Sequence, residues 1–126
     1  MWHPLLESYL CLFRIAIAMR GRDGLRTLHN VVRRQPVNQP VGDQDCDLSV
    51  LCHAMDLACV FYLHRVLCLQ RSAATTLLLR RHGVSAEMVV GIKQLPFRSH
   101  AWVEVAGSIM NDKPYLREIY QELERC

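Results

Sequence analysis

Three side chains in the second half of this 126-residue chain have the chemistry for acyl transfer: the thiol of Cys68, the imidazole of His100 and the carboxylate of Asp112. A thiolate can attack a carbonyl carbon, but it needs a base to take the thiol proton and return it to the leaving group. Imidazole does this near neutral pH when a carboxylate on its other nitrogen holds it in place. Each residue also has an ordinary reading. Cysteine packs as a small apolar side chain, a lone strand histidine is structural, and an aspartate after an asparagine favours turns. The chemical reading depends on whether the elements that carry the three converge.

The spacing predicts a helix from Cys68 to about His82, stopped by Gly83. The thiol then sits at a helix N-terminus. Unpaired backbone N–H groups and the helix dipole favour a thiolate there, and the N–H of Cys68 is a candidate oxyanion donor. After Gly83 the apolar period drops from helical to alternating. AEMVVGIKQ (86–94) reads as a strand, LPFRS breaks it, and HAWVEV (100–105) reads as a second strand opened by His100. Ala106-Gly107 reads as a turn and SIMND as a short third strand. Pairing of 100–105 with 108–111 would bring the neighbourhoods of His100 and Asp112 to one end of the sheet. YLREIYQELERC is expected to close as an amphipathic helix. Helices followed by an antiparallel sheet make an α+β domain.

Upstream, Leu5, Leu6, Tyr9, Leu10, Leu12, Phe13, Ile15 and Ile17 recur at helical spacing, and a second short helix is expected over 25–34. RQPVNQPVGDQD, with its prolines and glycine, reads as a loop. It divides an N-terminal helical region (1–45) from the part that carries the chemistry (46–126). Beyond it, Leu48, Cys52, Met55, Cys59, Tyr62 and Leu63 form one helical stripe that Asp47 or Ser49 could cap, and that helix is expected to end near 65–67. A first helix with so few polar positions must bury against its own domain, a partner or a membrane surface.

The bulk properties exclude several classes. The length suits one domain. The net charge of +3, carried by scattered arginines, gives no argument for nucleic acid. Glu7 and Arg14 interrupt the first apolar stretch, so a membrane span is not expected, and no signal peptide is evident. The cysteines at 11, 46, 52, 59, 68 and 126 are not spaced as a secreted disulfide framework and suit a reducing cytoplasm. Cys46, Cys52, His53, Cys59 and His64 contain no C-x-x-C pair, so neither a metal nor another cofactor is expected.

CLQRSAATTLLLRRHGVSAEMVVGIKQLPFRSHAWVEVAGSIMND resembles the leader peptidases of lasso peptide biosynthesis, a transglutaminase-like cysteine protease family. The resemblance rests on Cys68-Leu69-Gln70-Arg71-Ser72, the leucine-rich run from Leu77 to Gly83, Val90-Gly91-Ile92-Lys93, Ser99-His100-Ala101-Trp102-Val103-Glu104 and Asn111-Asp112. It covers roughly residues 45–115. It implies Cys68 as nucleophile, His100 as base and Asp112 as orienting carboxylate, in an enzyme that removes a leader from a ribosomally made precursor. It also implies partners: the precursor's leader peptide, a leader-recognition module of winged-helix type and an ATP-dependent lasso cyclase. The residues before position 46 are too few and too helical for that β-rich module, so a separate recognition protein is expected.

Strand alternation puts Trp102 and Glu104 on the face of His100. Trp102 is either a core aromatic or a shield and peptide contact, and Glu104 is expected to be solvated or salt-bridged. Gln70 follows the cysteine, whereas the oxyanion glutamine of papain-like enzymes precedes it, so that role is not assigned. His64 could approach the thiol from one turn before it, and LRRHG (79–83) reads as a helix C-terminus favoured by its dipole. Two other readings stay open: a different acyl-transfer enzyme on the same fold, and a non-catalytic scaffold of a biosynthetic complex.

Overall fold

The computed structural model describes residues 3–20, 24–37, 48–62, 68–94, 97–110 and 116–126. Four helices come first: α1 (His3–Ala18), α2 (Gly24–Arg34), α3 (Leu48–Val60) and α4 (Cys68–Arg81). Three strands follow: β1 (Ala86–Gln94), β2 (Phe97–Val105) and β3 (Ser108–Met110). One helical turn, α5 (Leu116–Ile119), then leads into β4 (Gln121–Arg125). The sheet is antiparallel in the order β3-β2-β1-β4.

Helix α4 is the centre of the molecule. Residues Ser72 to Arg80 are all buried because the helix is wrapped by α1 and α3 on one side and by β1 and β2 on the other. Leu77 and Leu78 share one core with Cys11, Leu12 and Ile15 of α1, Leu28 and Val32 of α2, Leu51 and Met55 of α3, and Met88 and Val103 of the sheet. The apolar positions of α1, α2 and α3 recur three or four apart, as a helix with one buried face requires. Alternation sends Val103 into this core, while Trp102 joins Val89 and Leu116 in a second, smaller cluster. Among the described residues no helix is long and apolar enough to cross a membrane.

The helix stop and the hairpin follow the backbone chemistry read from the sequence. Gly83 takes a left-handed φ of 83° just beyond α4, where the N–H of Val84 donates to the carbonyl of Leu79. Ala106 and Gly107 are both left-handed, at φ 52° and 81°, which gives the tight two-residue turn between β2 and β3.

Helix α3 ends at Val60, short of the expected 65–67, with Phe61 and Tyr62 already outside it. Two further expectations are corrected. First, β2 begins at Phe97, so His100 lies inside the strand and does not open it. Lys93 pairs with Arg98 and Gln94 with Phe97, and these ladder pairs extend the hairpin into the segment read as a break. Second, the closing segment is one helical turn followed by a strand. The edge of β1 offers unpaired backbone groups, and pairing there outweighs local helix propensity. Gln121 pairs with Ile92 and Arg125 with Val89, and Cys126 and Met88 exchange two backbone hydrogen bonds. Leu123, which a helical stripe would have buried, is 63% exposed.

A buried arginine ties these layers together. Arg80 donates from Nε to the carbonyl of Ala86 (2.9 Å), from Nη1 to those of Val32 and Gln35, and from Nη2 to that of Cys126 (3.0 Å). One guanidinium therefore closes backbone acceptors from three separate segments. Burial also lowers its pKa from the ordinary arginine value.

Candidate active site

Cys68 is the first residue of α4 and is exposed. The first backbone N–H groups of a helix have no partner within it, so a thiol placed there faces donors and the positive end of the dipole. The thiol lines a small cleft, about 60 Å³ in volume, between α4 and the sheet. Arg71, Ser72 and Thr75 continue that wall at three, four and seven residues from Cys68, which is one face of a helix. His100, Ala101, Trp102 and Val103 of β2 and Met110 of β3 form the opposite wall. Cys68 and His100, 32 positions apart in the chain, thus meet at one cleft. Asp112 lies outside the described residues, as do Cys46 and His64.

His100 is held among aromatic rings. Its ring centroid is 6.2 Å from that of Trp102 and 5.7 Å from that of Tyr120. Trp102 is 2% exposed, and its indole N–H donates to Oε2 of Glu104 at 2.9 Å. Glu104 is salt-bridged, as expected, but also buried: Arg125 Nη1 lies 3.0 Å from its Oε1 and 3.1 Å from Glu87 Oε1. Arg125 in turn is held by both oxygens of Glu122. A chain of charge-assisted hydrogen bonds therefore runs from β4 through Glu104 to the ring against which His100 packs.

Gly91 sits opposite His100 in the ladder. A Cβ at Gly91 would lie 2.7 Å from Cη2 of Trp102, 2.9 Å from its Cζ3 and 2.9 Å from Cβ of Tyr120. The ring has no room to yield. Gly91→Ala is expected to destabilise the fold by about 1–3 kcal/mol through overpacking. It should also lower any His100-dependent rate by about 10²-fold, the cost of a misplacement near 1 Å. Denaturant titration and initial rates on the same preparation check the two effects.

The chain belongs to the transglutaminase-like superfamily, whose family model matches residues 9–125. This transglutaminase-like chain is also 37% identical over 65 residues to the microcin J25-processing protein McjB of Escherichia coli, across 50% of this chain and 31% of the relative. The matched stretch is thus about a third of that relative's length. No solved structure matches.

In this transglutaminase-like fold Cys68 is the exposed thiol among the described cysteines; Cys11 and Cys52 are buried, and Cys59 and Cys126 are half-buried. Burial pushes the Cys11 thiol up to about 11 and raises Cys52, Cys59 and Cys126 above the ordinary thiol value. Because its thiol is exposed, Cys68 is expected to react first among these five with iodoacetamide at pH 7.5, at least about tenfold ahead of Cys11, which is buried and held protonated. Peptide mapping of partly alkylated protein reads the order. The same burial has a stability consequence. Cys11 keeps its proton in the fold to a higher pH than in the open chain, so stability falls as pH rises from about 9 toward about 11. A Cys11→Ala variant should show a shallower slope, the remainder coming from Cys52, Cys59 and Cys126.

Some residues of the cleft were not singled out from the sequence. Arg71 pairs with Asp56 of α3 and lines the cleft as well. Its signal was the i+3 spacing from Cys68. Tyr120, which packs on His100 and Trp102 but is not among the residues lining the cleft, was hidden by the helical reading of the C-terminal segment. A separate group, His29, Glu124 and Cys126, brings three ligand-type atoms within 4.8 Å of one another. The Arg33 guanidinium already pairs with Glu124 and favours the Cys126 thiolate, so a cation of the chain competes for two of these three ligands.

Proposed function

We propose that this chain is a cysteine peptidase that removes the leader peptide from a lasso-peptide precursor. The observation that carries the reading is the exposed thiol of Cys68, at a helix N-terminus, sharing one cleft with His100. The superfamily match and the similarity to a microcin-processing protein support the same chemistry and the same class of substrate.

In the proposed mechanism, Cys68 is the nucleophile, His100 the base and Asp112 the carboxylate that orients the imidazole. Met110, the last described residue before Asp112, lines the cleft, which supports the assignment. His100 takes the Cys68 proton as sulfur attacks the scissile carbonyl carbon, and backbone N–H groups at the start of α4 receive the negative charge on oxygen. Collapse breaks the C–N bond. His100 gives its proton to the leaving amine, and a thioester joins the leader's carbonyl to Cys68. Water, deprotonated by His100, then attacks the thioester, releasing the leader as a carboxylic acid and restoring the thiol. Trp102 walls the cleft beside His100, where it would shield the site and contact peptide.

The N-terminal helical region (1–45) would brace the catalytic part (46–126), or present α1 to a partner. The proposed partners are a separate leader-recognition protein of winged-helix type, which presents the leader, and an ATP-dependent cyclase that takes the freed core. All would act in the cytoplasm. Mass spectrometry of a precursor incubated with this chain and the recognition protein tests the reading. Hydrolysis gives two fragments whose masses sum to the precursor plus one water. Transfer to another amine, or an intact precursor, would sink it.

A further inference from the structure

Helix α1 turns an apolar face to solvent. Leu6, Leu10, Phe13 and Ile17 are each between 52% and 58% exposed. They lie opposite Cys11, Leu12 and Ile15, the residues that α1 buries in the core. Their spacing of four, three and four residues is that of a seam along which two helices pack side by side. A solvated helix face is normally charged, whereas the charged residues Glu7 and Arg14 only border this one. Both are engaged within the chain: Glu7 is bound to His82 and Arg81, and Arg14 donates to Oε1 of Gln35 at 3.0 Å.

Helix α3 extends the face. It packs beside α1, and the rings of Tyr9 and Tyr62 stack across the junction with centroids 6.4 Å apart. Tyr9 is one turn from Leu6 and Phe13, and Tyr62 adjoins Phe61, so the two exposed faces run into each other. Val50 and Leu57 of α3 and Phe61 just after it are all exposed. The seven side chains leave on the order of 100 Å² each in water, roughly 700 Å² in all. That exceeds the ~300–600 Å² of the largest apolar patch on an ordinary monomer. It is close to the ~800 Å² that a standard interface takes from each partner, so the area suits one stable dimer.

We infer that this face pairs with the same face of a second copy of the chain, with the two α1 helices antiparallel. The four seam positions are symmetric about the midpoint between residues 11 and 12. Reversal sets Leu6 against Ile17 of the second copy and Leu10 against its Phe13, and each pair occurs twice. That is the self-complementarity a two-fold interface requires. Arg14 falls opposite Tyr9 of the second copy, so no like charges meet along the seam. Both helices are already folded and braced by α4, so pairing carries no cost of helix formation. The cleft of Cys68 and His100 opens on the sheet side of α4 and stays clear of the pair. The pairing is independent of the peptidase reading.

Sedimentation velocity of the full chain tests this. The expected result is a reversible dimer that forms with a midpoint on the order of 10 µM. Leu10→Glu and Phe13→Lys should each weaken it at least about tenfold, because each buries two unpaired charges in the seam. Mixing the two variants should restore a dimer, because the antiparallel register sets the new carboxylate of one copy against the new ammonium of the other. Both positions are more than half exposed, so below the midpoint concentration each variant should melt with the wild type. Leu6→Glu with Ile17→Lys is an independent pair for the same register, should either of the first two variants melt early. A wild-type chain that stays monomeric at tenfold above that midpoint overturns the inference, whether or not it sediments with vesicles of anionic phospholipid. So does a dimer that survives the single substitutions, or a mixture of paired variants that stays monomeric.

Discussion

Replacing Cys68 with alanine is expected to lower the rate of leader removal by about 10⁴-fold or more, since loss of the nucleophile leaves only substrate binding and the oxyanion donors. The fold should be untouched. Cys68 is exposed, and it is absent from the buried core. The melting temperature of Cys68→Ala should therefore match that of wild type within about 1 °C, in keeping with the small effect of surface substitutions. His100→Ala should cost a comparable factor in rate, and the double variant little more, because a nucleophile and its base act as a unit and their losses do not add. Single-turnover kinetics with the recognition protein present would measure all three.

The largest expected effect on stability lies elsewhere. Arg80→Met is expected to destabilise the fold by about 3–5 kcal/mol, because the apolar replacement leaves several backbone carbonyls without donors. The acceptors are carbonyls of Val32 and Gln35 at the end of α2, Ala86 at the start of β1 and Cys126. Arg80→Lys should recover only part of the loss. An ammonium is a compact charge and cannot reach acceptors spread around a planar guanidinium fork. Denaturant titration reads both as a lowered midpoint. A loss below about 1 kcal/mol would mean that water replaces the guanidinium, and that α2 and the C-terminal strand are held by apolar packing alone.

How much of this was legible beforehand depended on how local each cause is. The start of α4 at Cys68, its stop at Gly83 and the turn at Ala106-Gly107 follow from a few neighbouring residues, and they could be read directly. The shared face of His100, Trp102 and Glu104 follows from strand alternation and was equally plain. The C-terminal strand was not legible. Leu116, Ile119 and Leu123 look like a helical stripe, and what decides against a helix is the open edge of β1, some thirty positions away. Arg80 was read as a dipole-favoured residue at a helix end. Its bonds go to carbonyls of α2 and the C-terminal strand, whose approach no local pattern announces. The site divides in the same way. Types and order pointed to Cys68 and His100, whereas Tyr120 needed the packed structure to be seen.

These distinctions bear on how variants should be read. Loss of activity in Gly91→Ala or in variants of Glu104 would come through the Trp102 ring and the placement of His100. It should be accompanied by a change in stability. Loss of activity in Cys68→Ala should not be.

The most direct measurement is the mass of the enzyme itself during turnover. Wild-type protein, recognition partner and precursor are mixed, quenched with acid within the first turnover, and examined by intact-mass and peptide-mapping mass spectrometry. The expected species is this chain carrying the leader through a thioester on Cys68, heavier than the free enzyme by the released leader's mass less one water. It should be absent when Cys68 is alanine. Precursor cleaved by the Cys68→Ala variant, or a leader adduct found on any other residue, would contradict a covalent mechanism at Cys68.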